Sequence, residues 1–118
     1  MTNEDAKKPT AGVVEWPEDF YEMLDLIRQR PAMYTGQTSL RALDTWLKGF
    51  SFARQVAALP ALPHEEHFAG FDRFIQGHYN WRDSGGWVAK IEYYERDGKH
   101  ALDEFFRLLD LYRLTSSD

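Results

Sequence analysis

Apolar residues recur at helical spacing in segment after segment of this chain, and this pattern most constrains its fold. Each set would line one face of a helix, so the helices must pack together to cover one another's apolar stripes. The pattern therefore predicts an all-α fold, a compact single-domain bundle of about four to five helices. The sets that carry it are Phe20, Met23, Leu24 and Ile27; Leu40, Leu43, Leu47 and Phe50; Phe68, Phe71, Ile75 and His78; and Ala101, Leu102, Phe105, Phe106, Leu108, Leu109 and Tyr112.

Prolines and turn-forming residues predict where the helices begin and end. We expect the first helix to begin near Pro17 and to stop at Arg30, because Pro31 disfavours helical backbone at the residue before it. The second helix should extend from residue 40 to about 59, with another element packed closely at Gly49, since a mid-helix glycine costs about 1 kcal/mol relative to alanine. The third is expected over 63–78, and the last after the Asp97-Gly98 turn.

The stretch from residue 87 to 95 fits two patterns. Trp87, Ala89, Ile91 and Tyr93 alternate as in a strand, whereas Trp87, Val88, Ile91 and Tyr94 fit a helical face. A single strand would lack a partner, because no other segment alternates convincingly. We therefore favour a helix, with a short strand or hairpin as the alternative.

A joint over residues 28–40 connects the first two helices. Met33 and Tyr34 are expected to insert into the core beneath this turn, and Gly36 can supply a positive φ that redirects the chain. Thr38 or Ser39 should cap the next helix. The residues to which we assign a structural role are Arg30, Pro31, Met33, Tyr34 and Gly36.

The domain limits and the rest of the core follow from the same patterns. Residues 1–14 contain almost nothing to bury and are predicted to be a disordered tail, residues 15–114 a single helical domain, and residues 115–118 a frayed end. Besides the two joint residues, the expected core members are Trp46, Phe50, Phe71, Ile91, Phe105 and Leu109.

Charge and the absence of cysteine narrow the classes of function. Without cysteine, disulfides, thiolate zinc sites and cysteine nucleophiles are excluded. The net charge is −5, and residues 63–118 hold eleven acids against seven bases, so a basic protein is a better partner than nucleic acid. No apolar run approaches the ~18 residues of a membrane span, and residues 1–9 are too polar for a secretory signal. We expect a cytoplasmic protein; the sequence leaves its oligomeric state open.

The sequence does not support an enzyme or a cofactor site. His64 and His67 are three residues apart, which differs from the i, i+4 spacing of the helical zinc motif. A third ligand would have to be His78, His100 or a carboxylate from elsewhere in the chain. No serine lies in a nucleophile elbow, and Ser84-Gly85-Gly86 lacks the lysine of a phosphate-binding loop. We expect no catalytic residue, no metal and no cofactor.

The loop from Trp81 to Trp87 is the candidate partner-binding segment. It offers two large rings, a charged pair and glycines that let a partner approach the backbone closely. The alternative is that Trp87 simply closes the core. The predicted partner-binding residues are Trp81, Arg82, Asp83, Trp87, Glu92, Glu95 and Asp97.

The joint resembles two groups of proteins. Arg28, Arg30, Pro31, Met33, Tyr34 and Gly36 match a short run in the ATPase subunit of type II topoisomerases. The Asn-bearing helix and the Asp-x-Gly-x-Gly nucleotide motif of that family have no counterpart here. A nucleotide-binding remnant is therefore the third-ranked interpretation.

The second resemblance covers most of the chain. Ile27-Arg28-x-Arg30-Pro31-x-Met33-Tyr34-x-Gly36-x-x-Ser39-Leu40, Leu47-x-Gly49-Phe50, Phe71-x-x-Phe74, Ser84-x-Gly86-Trp87 and Phe105-Phe106-x-Leu108-Leu109-Asp110 are similar to runs in small bacterial proteins, some of which look like toxin immunity proteins. The resemblance implies a protein that neutralises a cognate toxin by binding it, with a basic nuclease as one candidate toxin. A protein-binding adaptor with another partner is the second interpretation.

Overall fold

The computed structural model describes residues 17–115, and every regular element within them is a helix. Five helices have at least eight residues and two are single turns. The predicted all-α bundle is confirmed, and the stretch for which a strand was the alternative is helical. The expected tail at 1–14 and most of the frayed end lie outside the described residues. In chain order, the elements are α1 (Phe20–Gln29), α2 (Pro31–Thr35), α3 (Leu40–Val56), α4 (Glu65–Phe68), α5 (Phe71–Tyr79), α6 (Trp87–Tyr94) and α7 (Gly98–Arg113).

Helix α7 is the centre of the bundle. It packs against α3, α5 and α6, and α5 and α6 also pack against each other. Of the predicted core residues, Phe71, Ile91, Phe105 and Leu109 are buried, whereas Trp46 and Phe50 are only partly buried and stack on one another against the core. No helix within residues 17–115 has the length and apolar character needed to cross a membrane.

The two ends of the joint adopt the backbone conformations that their residues predict. Arg30 leaves the helical region with φ −144° and ψ 67°, and Pro31 then begins the one-turn helix α2. Gly36 ends that turn with φ +85°, the left-handed conformation that glycine adopts without steric cost. Ser39 accepts a hydrogen bond from the amide of Ala42 and so caps α3. The start of α1 differs from the prediction, because Asp19 caps a helix that begins only at Phe20.

The prediction that Met33 is buried beneath the joint is wrong. Met33 is 54% exposed, whereas Tyr34 is half-buried and packs against the core. The two residues sit side by side on a helical turn, where neighbouring side chains point about 100° apart. When Tyr34 faces the bundle, Met33 must face solvent.

Tyr34→Ala is expected to lower the free energy of unfolding by about 2 kcal/mol, because it removes a half-buried ring that packs on the core. Met33→Ala should change it by less than about 0.5 kcal/mol, since the methionine side chain is largely in water. Urea denaturation of both variants measures the difference. Equal losses would show that the joint buries both side chains.

The predicted third helix is interrupted where the chain reaches Gly70. A Cβ at Gly70 would lie 2.5 Å from the hydroxyl oxygen of Tyr112, so only glycine fits beneath that ring. The same hydroxyl donates a hydrogen bond to the carbonyl of His67. The carbonyl of His67 therefore has its hydrogen-bond partner on α7. The chain forms two helices here, α4 and α5, where one was predicted.

The predicted second helix corresponds to α3 and is shorter than predicted. Its last turns extend beyond the core. It ends at Val56, which is 70% exposed, and the residues that follow are exposed as well. The expectation of a close neighbour at Gly49 is wrong for residues 17–115, because no other element among them lies within 4 Å of a Cβ built there. The C-terminal half of α3 therefore has one face that the described chain does not cover.

Candidate partner-binding surface

The connection between α5 and α6 folds back so that Trp81 returns to the helix it has just left. Asn80 ends α5 in the left-handed conformation, with φ 51° and ψ 46°. The amide of Trp81 then donates to the carbonyl of Gln76 at 2.9 Å, and its indole nitrogen donates to the carbonyl of Ser84 at 3.3 Å. These bonds fix the indole beside the end of α5.

Four aromatic side chains meet at this point, and we call Tyr79, Trp81, Tyr93 and Tyr94 the aromatic cluster. Tyr79 and Tyr94 stack with ring centroids 4.4 Å apart and planes 15° from parallel. Trp81 meets Tyr93 at 5.2 Å and 78°, and Tyr93 meets Tyr94 at 5.0 Å and 77°. Edge-to-face and offset contacts of this kind are favourable for aromatic rings. The rings thus hold one another in place before any partner arrives.

The aromatic cluster is open to solvent. Tyr93 is 59% exposed and Tyr94 is 54% exposed, while Tyr79 and Trp81 are partly buried beneath them. Exposed large rings are unusual on a monomer surface when they occur together, and such patches mark sites of interaction. The arrangement offers a preformed aromatic surface with phenol hydroxyls at its edge.

The hydroxyl of Tyr79 stays protonated at neutral pH. Burial raises its pKa above the usual value, and the carboxylate of Glu104 acts in the same direction with a smaller effect. Glu104 itself is held by two hydrogen bonds of 2.7 Å from Arg107, which lower the pKa of that carboxyl. Tyr79 is therefore a neutral hydrogen-bond donor, bordered by the ion pair of Glu104 and Arg107.

The structure separates the predicted loop residues into two groups. Trp81 belongs to the aromatic cluster, and Arg82 and Asp83 are exposed beside it. Trp87 instead stacks on Phe105 at 4.8 Å and meets Phe71 edge to face at 5.5 Å. We therefore assign Trp87 to the wall of the core.

The three acidic residues predicted to surround the loop have partners of their own. Glu92 forms an ion pair with Arg41 on α3. Asp97 caps α7 by accepting bonds of 3.0 Å and 3.1 Å from the amides of Lys99 and His100, and these bonds lower the pKa of its carboxyl. Glu95 lies 4.0 Å from the ring of His100. Their negative charge is partly balanced within the fold.

The two histidines singled out in the sequence are hydrogen-bonded to α1 and its cap. Nδ1 of His64 lies 2.5 Å from Asp19, and Nδ1 of His67 lies 2.5 Å from the hydroxyl of Tyr21. Burial raises the pKa of Tyr21 to about 12. Within residues 17–115, no three His, Cys, Asp or Glu side chains are grouped to hold a metal ion. The position of these histidines points to a link between α1 and α4.

Trp81 was predicted from the sequence as a binding residue, whereas Tyr79, Tyr93 and Tyr94 were not. The adjacent tyrosines at 93 and 94 close a helix that is followed by charged residues, so at least one of them had to face solvent. That signal was present, but the contact to Trp81 depends on how α5 packs against α6.

The comparisons with known proteins return nothing similar to this chain: no protein-family model, no curated protein and no solved structure matches it.

Proposed function

We propose that this protein is a cytoplasmic, immunity-like protein that binds and neutralises a bacterial toxin through the aromatic cluster. The observation that carries the proposal is the set of ordered, solvent-exposed rings at the meeting point of α5 and α6. The sequence resemblance supplies the class of partner, and the cluster supplies the binding surface. No reaction on the partner is part of the proposal.

Aromatic side chains are well suited to this task for physical reasons. Trp and Tyr are enriched among the few residues that dominate binding energy, because each ring buries a large area with little conformational freedom to lose. In this protein Trp81 is already held by two hydrogen bonds and by ring contacts. The entropy cost of ordering the surface on binding is therefore reduced.

Charge around the cluster favours a basic toxin domain such as a nuclease. Residues 63–118 hold most of the net negative charge of the chain. Long-range attraction between surfaces of opposite charge speeds the encounter and depends on salt. Because Glu92 and Asp97 already have partners in the fold, we assign the affinity to the rings and the steering to the overall charge.

The test is co-expression with the product of the gene immediately upstream. If that product arrests growth, the wild-type protein should restore growth, and the Trp81→Ala, Asp83→Lys double variant should not. Leu114→Ser is the matched control, since it changes an 85% exposed apolar residue on another part of the surface. Growth arrest that the wild type fails to relieve would contradict the immunity function. An upstream product that binds the protein without arresting growth would favour the adaptor function.

A further inference from the structure

Helix α3 has a second stripe, made of small and apolar residues, on the side that faces away from the bundle. Thr45, Gly49, Phe52 and Val56 follow the i, i+4, i+7, i+11 spacing of one helix face, and all four are exposed. Phe52 and Val56 are 69% and 70% exposed. The core-facing stripe, with Leu43, lies on the opposite side of the same helix.

Gly49 and Phe52 have complementary shapes one turn apart on this stripe. Gly49 lacks a side chain, and no other part of the chain that the structure describes lies within 4 Å of a Cβ placed there. A glycine in the interior of a helix lowers its stability, and no contact within the described chain accounts for this one. Phe52 presents a large ring beside that notch, and the ring is not covered by any residue from 17 to 115.

We propose that the exposed stripe of α3 binds the same stripe of a second copy of this chain, with the two helices antiparallel. A two-fold axis between Gly49 and Phe52 places the ring of Phe52 from each copy over Gly49 of the other, and Val56 opposite Thr45. A parallel pair would set ring against ring and notch against notch. The antiparallel arrangement is the one that uses both features, as a self-complementary dimer contact requires.

The charges near the stripe also favour a second copy over a charged partner. Residues 45–63 contain no acid, and their two bases, Lys48 and Arg54, are engaged within the chain. Lys48 lies 3.0 Å from Asp44. Arg54 donates to the carbonyl of Pro60 and covers the ring of Phe50. The stripe therefore offers an apolar contact, and the charges beside it do not favour a partner of opposite charge.

The size of the contact predicts a weak dimer. The stripe extends over the twelve residues from Thr45 to Val56, on the order of 16 Å along the helix axis. The interface would be smaller than the roughly 1,200 Å² of stable complexes. We expect association in the range of about 10 µM to 1 mM. The aromatic cluster uses other residues, on α5, α6 and their connection, so this dimer is independent of the proposed toxin contact.

Sedimentation equilibrium of the full chain from about 10 µM to 1 mM tests the proposal. The wild type should change from monomer to dimer over this range, and Phe52→Glu should remain monomeric. Leu114→Glu, at an 85% exposed apolar position just after the end of α7, should associate like the wild type. A wild type that stays monomeric, or a Leu114→Glu variant that loses association as Phe52→Glu does, overturns the proposal.

Gly49→Ala separates self-association from folding. The added methyl group should raise the thermal midpoint by roughly 4 °C through helix propensity. It should also weaken the dimer at least about fivefold, because it fills the notch that receives Phe52. A variant with the higher midpoint and unchanged association would overturn this packing.

The orientation can be read directly because the chain has no cysteine. A mixture of Thr45→Cys and Val56→Cys proteins should form the mixed disulfide under mild oxidation faster than Thr45→Cys alone links to itself. The opposite ranking would contradict the antiparallel arrangement.

Discussion

Phe71→Ala is expected to lower the free energy of unfolding by about 4 kcal/mol, among the largest effects of any single substitution in this chain. The ring of Phe71 is fully buried. It contacts Phe105 at 5.4 Å, Trp87 at 5.5 Å and Tyr112 at 5.5 Å. Because these rings come from α6 and α7, the cavity would open where three helices meet and could collapse only by moving all of them.

Phe52→Ala is the matched control for Phe71→Ala. It removes the same atoms from a ring that is 69% exposed, so unfolding by urea at a few micromolar protein should shift by less than about 0.5 kcal/mol. Both variants can be followed by the change in tryptophan fluorescence. Similar losses for the two phenylalanines would contradict the assignment of Phe71 to the centre of the core.

Asp72→Ala is expected to cost about 2 to 3 kcal/mol, although Asp72 itself is partly exposed. Its carboxylate lies 3.0 Å from Nζ of Lys90, and Lys90 is only 2% exposed. Removing the carboxylate leaves an ammonium group buried without its ion partner, which costs more than losing the pair as a whole. The expected loss of unfolding free energy is below the usual range for breaking a buried ion pair, because water reaches the carboxylate of Asp72.

Replacing Lys90 tests the same pair from the other side. Lys90→Met keeps much of the buried volume and removes the charge, so the free energy of unfolding should change by less than about 1 kcal/mol. The double variant Asp72→Ala, Lys90→Met should recover most of the loss from Asp72→Ala. If Asp72→Ala alone has no effect in urea denaturation, the Lys90 ammonium must reach water by a route other than Asp72.

The helices and much of the core could be predicted because they depend on local spacing. The stripes that contain Phe71 and Phe105 appear in the sequence as helix faces, and both residues are buried. The break at Gly70 could not be predicted, because it is set by Tyr112, which lies 42 residues further along the chain. Met33 was misplaced because the joint forms a helical turn and not an open loop.

The candidate surface was predictable only in part. Trp81 could be identified as a large ring in a loop rich in turn-forming residues. The contact between Trp81 and Tyr93 could not be predicted. It follows from the packing of α5 against α6 and from the hydrogen bond between the amide of Trp81 and the carbonyl of Gln76. The sequence also left the role of Trp87 open, because a tryptophan at a helix start can face either the core or a partner. In the structure it stacks on Phe105.

Binding of the native partner to variants of the aromatic cluster tests the central claim most directly. The partner is captured from the source organism with the wild-type protein, purified, and titrated by calorimetry against Trp81→Ala, Tyr93→Ala and the control Leu114→Ala, each first checked for folding by circular dichroism. Trp81→Ala should weaken binding by roughly 30-fold and Tyr93→Ala by roughly 10-fold, while Leu114→Ala should bind as the wild type does. If a folded Trp81→Ala, Tyr93→Ala double variant binds the partner with unchanged affinity, the aromatic cluster is not the interface.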